Sequence, residues 1–279
     1  MKKVRMLSVL NLLALVVHIS LSYATQFKLV NTKNTGEVSN QFPSLFTPAA
    51  MTFAIWGVIY ISLLLFCIFH IVMAYRHLTD HPANDDVHRI GYWFIANNLG
   101  AAAWLMLWTH EQITSSVVLI FFQLITLIAI HLRVGIHDAS RGIASKVFTQ
   151  FPLSIYLGWI TIATIANTAV YLSFNHWNGF GLDYSAAAWT RIMICVAVFI
   201  TLLVVLTRGN VSFGLVVLWA LYGIITKLDA ANASQYADII QTAWIGMGLV
   251  SFISVIQLFR NVLSRHYDGT HFPEASPLK

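Results

Sequence analysis

Trp159, Ala163, Ala166, Asn167 and Val170 recur at i, i+4, i+7, i+8 and i+11, so they share one face if this stretch is a helix. From Phe148 to Leu172 there is no charged side chain. An indole beside small residues and a carboxamide suits a flat, largely apolar ligand. The ring stacks, the small residues leave room, and the amide sets orientation. An Asn in hydrocarbon needs a polar partner, so this face should look into protein or a cavity and not into lipid. Trp56 and Tyr60, one turn apart, and Asn97, Ala101, Trp104 and Trp108 form two further faces of this kind. Packing alone is the competing reading, because aromatic and small residues also fill the interior of an ordinary bundle.

Other chemistries find less support. The 11 acidic residues fall in loops, tails or helix ends, no lysine lies within an apolar run, and Arg191 sits at the edge of one. Coupled pumps place ionisable groups at the bilayer midplane, so this distribution speaks against one. No motif joins a Ser or Thr to a His and an acid, and no glycine-rich phosphate loop occurs. His70 and His131 stand near the cytoplasmic ends of their runs, where a haem pair is conceivable but histidines that reach water or a carbonyl are commoner. His77, His81 and His88 with Asp80, Asp85 and Asp86 read as a solvated loop, since metal sites show tighter ligand patterns. Cys67 and Cys195 lie inside apolar runs and read as small buried hydrophobes.

The elements that would position these residues are apolar runs. With 58% hydrophobic and 10% charged residues over 279 positions, against roughly 25% charged in a soluble domain, the chain is an all-α polytopic membrane protein. Eight runs, at 6–25, 50–73, 91–108, 113–132, 148–172, 188–206, 211–226 and 237–259, come near the ~20 residues that a spanning helix needs. The first begins after MKKVR. It is longer than a signal-peptide core and contains Asn11 and His18, so it reads as a retained helix and not a cleaved one.

The 148–172 segment resembles the tryptophan-rich sensory proteins, or translocator proteins (TspO/MBR), whose fifth helix reads Pro-Tyr-Leu-x-Trp-Val-Ser-Phe-Ala-Thr-x-x-Asn. Tyr156, Leu157, Trp159, Thr161, Ala163, Thr164 and Asn167 stand in that order, with Pro152 further before the Tyr. A second block is similar to the family's Trp-Thr-Pro-Pro loop and second helix: Thr47, Pro48, Phe53, Trp56 and Tyr60, with Phe46 in place of the loop Trp and Ala49 in place of the second Pro. In the third helix Trp104 takes the family's Trp place, and Ala101 stands where the family has Asn.

The resemblance implies a five-helix bundle over 1–173, and leaves 174–262 as three additional helices and 263–279 as a cytoplasmic tail. It further implies a membrane-embedded sensor, regulator or transporter that is not an enzyme and has no resident cofactor. The ligand would be a hydrophobic small molecule, with a porphyrin or haem-type tetrapyrrole the usual candidate. The ligand residues expected are Phe46, Pro48, Trp56, Tyr60, Asn97, Trp104, Trp108, Trp159, Ala163 and Asn167. An uncoupled transporter or channel without tetrapyrrole preference is the alternative, and an enzyme acting on a bound pigment is the weakest reading. The partners expected are the lipid bilayer and the small ligand, with a homodimer left open and no nucleic acid, since no basic run is dense enough to bind it.

With eight spans and a cytoplasmic N-terminus, Lys2, Lys3, Arg5, Arg76, Arg89, Arg133, Arg141, Lys146, Arg208, Arg260, Arg265 and Lys279 all lie inside, while only Lys28, Lys33, Arg191 and Lys227 lie outside. This asymmetry predicts both termini in the cytoplasm, and the plasma membrane is the membrane expected. Reporter fusions at Lys279 and near Gly179 should read opposite compartments, and a C-terminal reporter active only outside would overturn the topology.

Overall fold

The computed structural model describes residues 1–42, 44–76, 81–136, 141–176 and 185–268, with side chains up to residue 263. Helix α1 (Lys2–Gln26) is followed by a short helix, α2 (Thr35–Gln41). A 3-10 turn, Ala50–Ala54, leads into α3 (Ile55–Tyr75), and then come α4 (Pro82–Ile90), α5 (Trp93–Thr109) and α6 (Ile113–Val134). The short α7 (Ile143–Ser145) runs through a π turn, Lys146–Gln150, into α8 (Phe151–Phe174). Helices α9 (Ala186–Arg208), α10 (Val211–Asn232) and α11 (Ala237–Asp268) complete the chain.

Every predicted span is a helix. Seven are long and apolar enough to cross a bilayer by length and composition. The remaining one, α5, has 17 residues. At ~1.5 Å per residue it is about 25 Å long, the short end of the spanning range.

The helices form two groups. In the first, α1 packs on α3 and α5, α5 on α6, α6 on α8, and α8 back on α3, closing a ring of five. In the second, α9, α10 and α11 pack on one another, and α10 lies along the outside of α8. Burial agrees with this order: 72% of the apolar window of α8 is enclosed, against 28% for α11, so α8 is the shared wall and α11 the lipid-facing edge. Gly158 permits the close approach of α8 and α10. A Cβ there would stand 3.1 Å from Val216 Cβ and 3.2 Å from the Phe213 carbonyl oxygen.

Such a buried helix must satisfy its own hydroxyls. Ser154, Thr161 and Thr164 each donate to the carbonyl four residues back, at 2.6, 2.9 and 2.7 Å. Pro152 is accommodated differently. Its ring would crowd the carbonyl of Phe148, and the wider π turn just before it relieves that contact.

The 81–90 segment departs from the solvated loop expected of it. It is an amphipathic helix packed on α1, α3 and α6, with Ala83, Val87 and Ile90 buried. His81 caps it by accepting from the Ala83 N–H at 3.2 Å, Pro82 opens the first turn, and Gly91 closes it at φ 56°. Asp85 pairs with Arg89 at 2.7 Å on the outer face. Asp86 is fully buried and pairs with Arg141, yet burial outweighs the guanidinium and pushes its carboxyl above the ordinary range. No group of three or more His, Cys, Asp or Glu is placed to hold a metal among the described residues, and His77 and Asp80 lie outside them. The cysteines also differ from expectation: Cys67 is buried, but Cys195 is exposed on the outer face of α9.

The ring's contacts are made among the first five spans, so a chain ended after Ser173 should still insert and fold, with a lower melting temperature because α8 loses its cover by α10. Size-exclusion chromatography and thermal unfolding in detergent check this. Failure to recover any monodisperse truncated protein would show that the two groups fold only together.

Candidate functional site

The ring encloses a cavity of about 490 Å³ in the half nearest α2. Its walls come from all five ring helices: His18, Ser22, Trp56, Tyr60, Ala101, Trp104, Trp108, Ile120, Gln123, Trp159, Ala163, Ala166 and Asn167. Its roof is α2 with the segment Thr47–Ala54, which contributes Thr47, Pro48 and Phe53. Among the described residues that line it there is no aspartate, glutamate, lysine or arginine, so this surface is aromatic and neutral.

The indoles are fixed by bonds and by one another. Trp104 and Trp108 stack at 5.3 Å between centroids with planes 15° apart, and Trp56 stacks on Tyr60 at 5.2 Å and 26°. Trp159 meets Trp56 edge-on at 6.3 Å and Phe53 edge-on at 5.6 Å. The Trp104 indole N–H donates to Asn167 Oδ1 at 2.9 Å, and that of Trp108 to the Thr35 carbonyl at 3.0 Å. The Tyr60 hydroxyl donates to Ser22 Oγ at 2.9 Å.

Of the residues singled out by sequence, Pro48, Trp56, Tyr60, Trp104, Trp108, Trp159, Ala163 and Asn167 meet at this cavity. Phe46 and Asn97 stand off its wall. Phe46 is fully buried in the main core, and Asn97 turns to α6, donating to the Gln123 carbonyl at 3.0 Å and to Thr126 Oγ1 at 2.8 Å. His70 and His131 are also absent from the lining. Each is held to its own helix, through Nδ1, by the carbonyl four residues back. His18, Ser22 and Gln123 line the cavity without having been foreseen; each is a polar residue within an apolar run, and that was the available signal.

The roof is tied down from both sides. Asn34 and Glu37 form a reciprocal capping box at the start of α2, each bond 2.9 Å. Lys28, 2.6 Å from Glu37, holds that carboxyl below its ordinary value. Across the roof α10 supplies the anchors. Lys227 Nζ donates to the carbonyls of Ser44 and Thr47 at 3.1 and 3.0 Å, the Ala49 N–H donates to the Gly223 carbonyl at 2.9 Å, and the Trp219 indole donates to the Thr52 carbonyl at 2.8 Å. Gly223 allows this approach. A Cβ there would stand 2.9 Å from Pro48 Cβ and closer still to Thr52 Oγ1.

Gly223→Ala should therefore lift the roof, at about 1–3 kcal/mol of overpacking. Lys227→Met keeps the stem but loses two charge-assisted bonds, each worth roughly 1.5–3 kcal/mol. Both variants should speed hydrogen exchange at the Ala49 and Thr52 amides at least several-fold while the ring helices stay protected. Unchanged exchange at those amides would show that α10 does not hold the roof.

No curated protein and no solved structure matched this chain. A family model described as TSPO-like protein matches residues 8–256. That span takes in the ring, the roof, α9, α10 and most of α11, so it is as a whole membrane-embedded body, and not through its indoles alone, that the chain belongs to the TSPO-like protein family.

Proposed function

We propose that this protein is an integral membrane binding protein for a flat, hydrophobic small molecule, with a tetrapyrrole of the porphyrin type as the ligand class, and that capture in the ring cavity underlies its sensing, regulatory or transport role. The observation that carries the reading is a neutral cavity of about 490 Å³ bounded by four indoles and two phenols, within the few hundred to about 1,000 Å³ of small-molecule sites. Ala101, Ala163 and Ala166 keep space open opposite the rings. Binding is favoured over catalysis because no acid or lysine on the wall could pair with His18 in general acid–base chemistry. The protein acts in the plasma membrane with both termini cytoplasmic, as the basic residues of its loops predict.

Two substitutions on α8 separate a ligand site from simple packing. Trp159→Phe shortens the ring that meets Trp56 and Phe53, and each aromatic contact is worth about 0.5–1.5 kcal/mol beyond area burial. It should weaken porphyrin binding several-fold in a folded protein. Ala163→Phe puts a second ring into the space beside Trp159 and should weaken binding further. Melting temperature and porphyrin affinity, measured on the same samples, give the answer. Lost stability with unaltered affinity, or no saturable porphyrin binding by the unmodified protein, would defeat the proposal.

A further inference from the structure

Deep in the ring, His18 is set in a single protonation geometry by its neighbour on α5. Asn98 Nδ2 donates to the Phe94 carbonyl at 2.9 Å, and a carbonyl can only accept, so the other end of that carboxamide is fixed as oxygen. Asn98 Oδ1 lies 3.1 Å from His18 Nδ1. That oxygen can only accept too, so in neutral His18 the proton sits on Nδ1 and the lone pair on Nε2. The imidazole is 2% exposed and lines the cavity, and its Nε2 makes no hydrogen bond among the described residues. Trp56 and Tyr60 clamp the ring edge-on, at centroid distances of 6.0 and 5.4 Å and angles of 86° and 89°, so it cannot turn away. Asn98 thus acts on His18 as an outer partner does on a ligating histidine, fixing tautomer and ring plane together.

From this we infer that His18 Nε2 is a built hydrogen-bond acceptor within the cavity, and that the site selects flat aromatic molecules carrying an N–H or O–H donor over isosteres that lack one. The inference rests on the ligand-binding reading above and adds the ligand's polar requirement to it. The physical reason is asymmetry. An apolar ligand leaves the Nε2 lone pair desolvated and unpaired, whereas a donor satisfies it, and the difference appears as selectivity. Asn98 is the positioning residue. Without its oxygen the imidazole is free to move the proton to Nε2, which would turn the acceptor into a donor.

Carbazole and dibenzofuran test this, since they share size and flatness and differ in having a ring N–H or a ring oxygen. Titration calorimetry on the detergent-purified chain, with protein-free micelles as the blank, should give carbazole about ten-fold tighter binding than dibenzofuran. His18→Ala should bring the ratio to near one, and Asn98→Leu should lower or invert it while the melting temperature reports that each variant is folded. Equal binding of the two probes by the unmodified protein would overturn the role of His18 while leaving the ligand reading intact, and needs no variant to fold. A ratio that persists in His18→Ala would overturn it as well. Failure of both probes to bind the unmodified protein would remove the ligand reading and the inference together.

Discussion

The carboxamide of Asn167 is the point on which the ring depends. In a membrane interior a side-chain amide without partners costs several kcal/mol, so its bonds decide which helices must stand next to α8. Oδ1 accepts from the Trp104 indole on α5, and Nδ2 donates to Ser116 Oγ on α6 at 3.2 Å, while the Ser116 hydroxyl is itself spent on the Ile113 carbonyl. Three helices are thereby registered against one another by one residue. The consequence runs outward. Trp104, once fixed, carries Trp108 stacked upon it, and Trp108 reaches the Thr35 carbonyl at the start of α2. The position of the roof thus follows from a bond made within the ring.

Several interactions hold the roof, and their magnitudes differ. The ion pairs Lys28–Glu37 and Lys33–Glu111 are exposed, and such pairs add little to stability, less still in salt. The bonds of Trp108, Trp219 and Lys227 to backbone carbonyls are partly buried and hence harder for water to replace. Two of these three come from α10. The three C-terminal helices are therefore not merely a lipid-facing addition to the ring, because α10 holds the segment that closes the cavity, with Gly223 as the point of nearest approach.

Much of this was legible in the sequence, and what was not has a physical explanation. Apolar runs reveal helices because burial or lipid exposure requires them, and the indole spacings place Trp56, Tyr60, Trp104, Trp108 and Trp159 on inward faces. Periodicity gives a face but not the neighbour it meets. Asn97 falls in the same register as Ala101 and Trp104, yet its amide bonds α6 and not the cavity. His18 meets Asn98 across 80 residues of sequence, a pairing that depends on the relative depth of two helices and leaves no local trace. The α4 helix was missed for the opposite reason. Its local signals, a capping His81, Pro82, a first-turn Asp85, last-turn His88 and Arg89 and the terminal Gly91, are all present, but nine residues with four charged or titratable ones among them look like a loop until Val87 and Ile90 are given a partner surface.

A partly open cavity on this scale is itself a constraint. At ~24 cal/mol per Å³, the cost found for cavities cut into packed cores, 490 Å³ left empty would cost about 12 kcal/mol, comparable to the whole stability of many domains. That figure is an upper bound, since the neutral polar rim can hold water and the roof can admit lipid. Even a fraction of it would favour sequences that fill the space, as larger residues at Ala101, Ala163 and Ala166 would do. The chain instead sets small residues opposite rigid indoles and places the lone pair of His18 among them. A core shaped for stability alone would not keep alanines at these three places. The arrangement supports the proposed reading, a cavity kept open for an occupant with a flat apolar body and at least one polar atom.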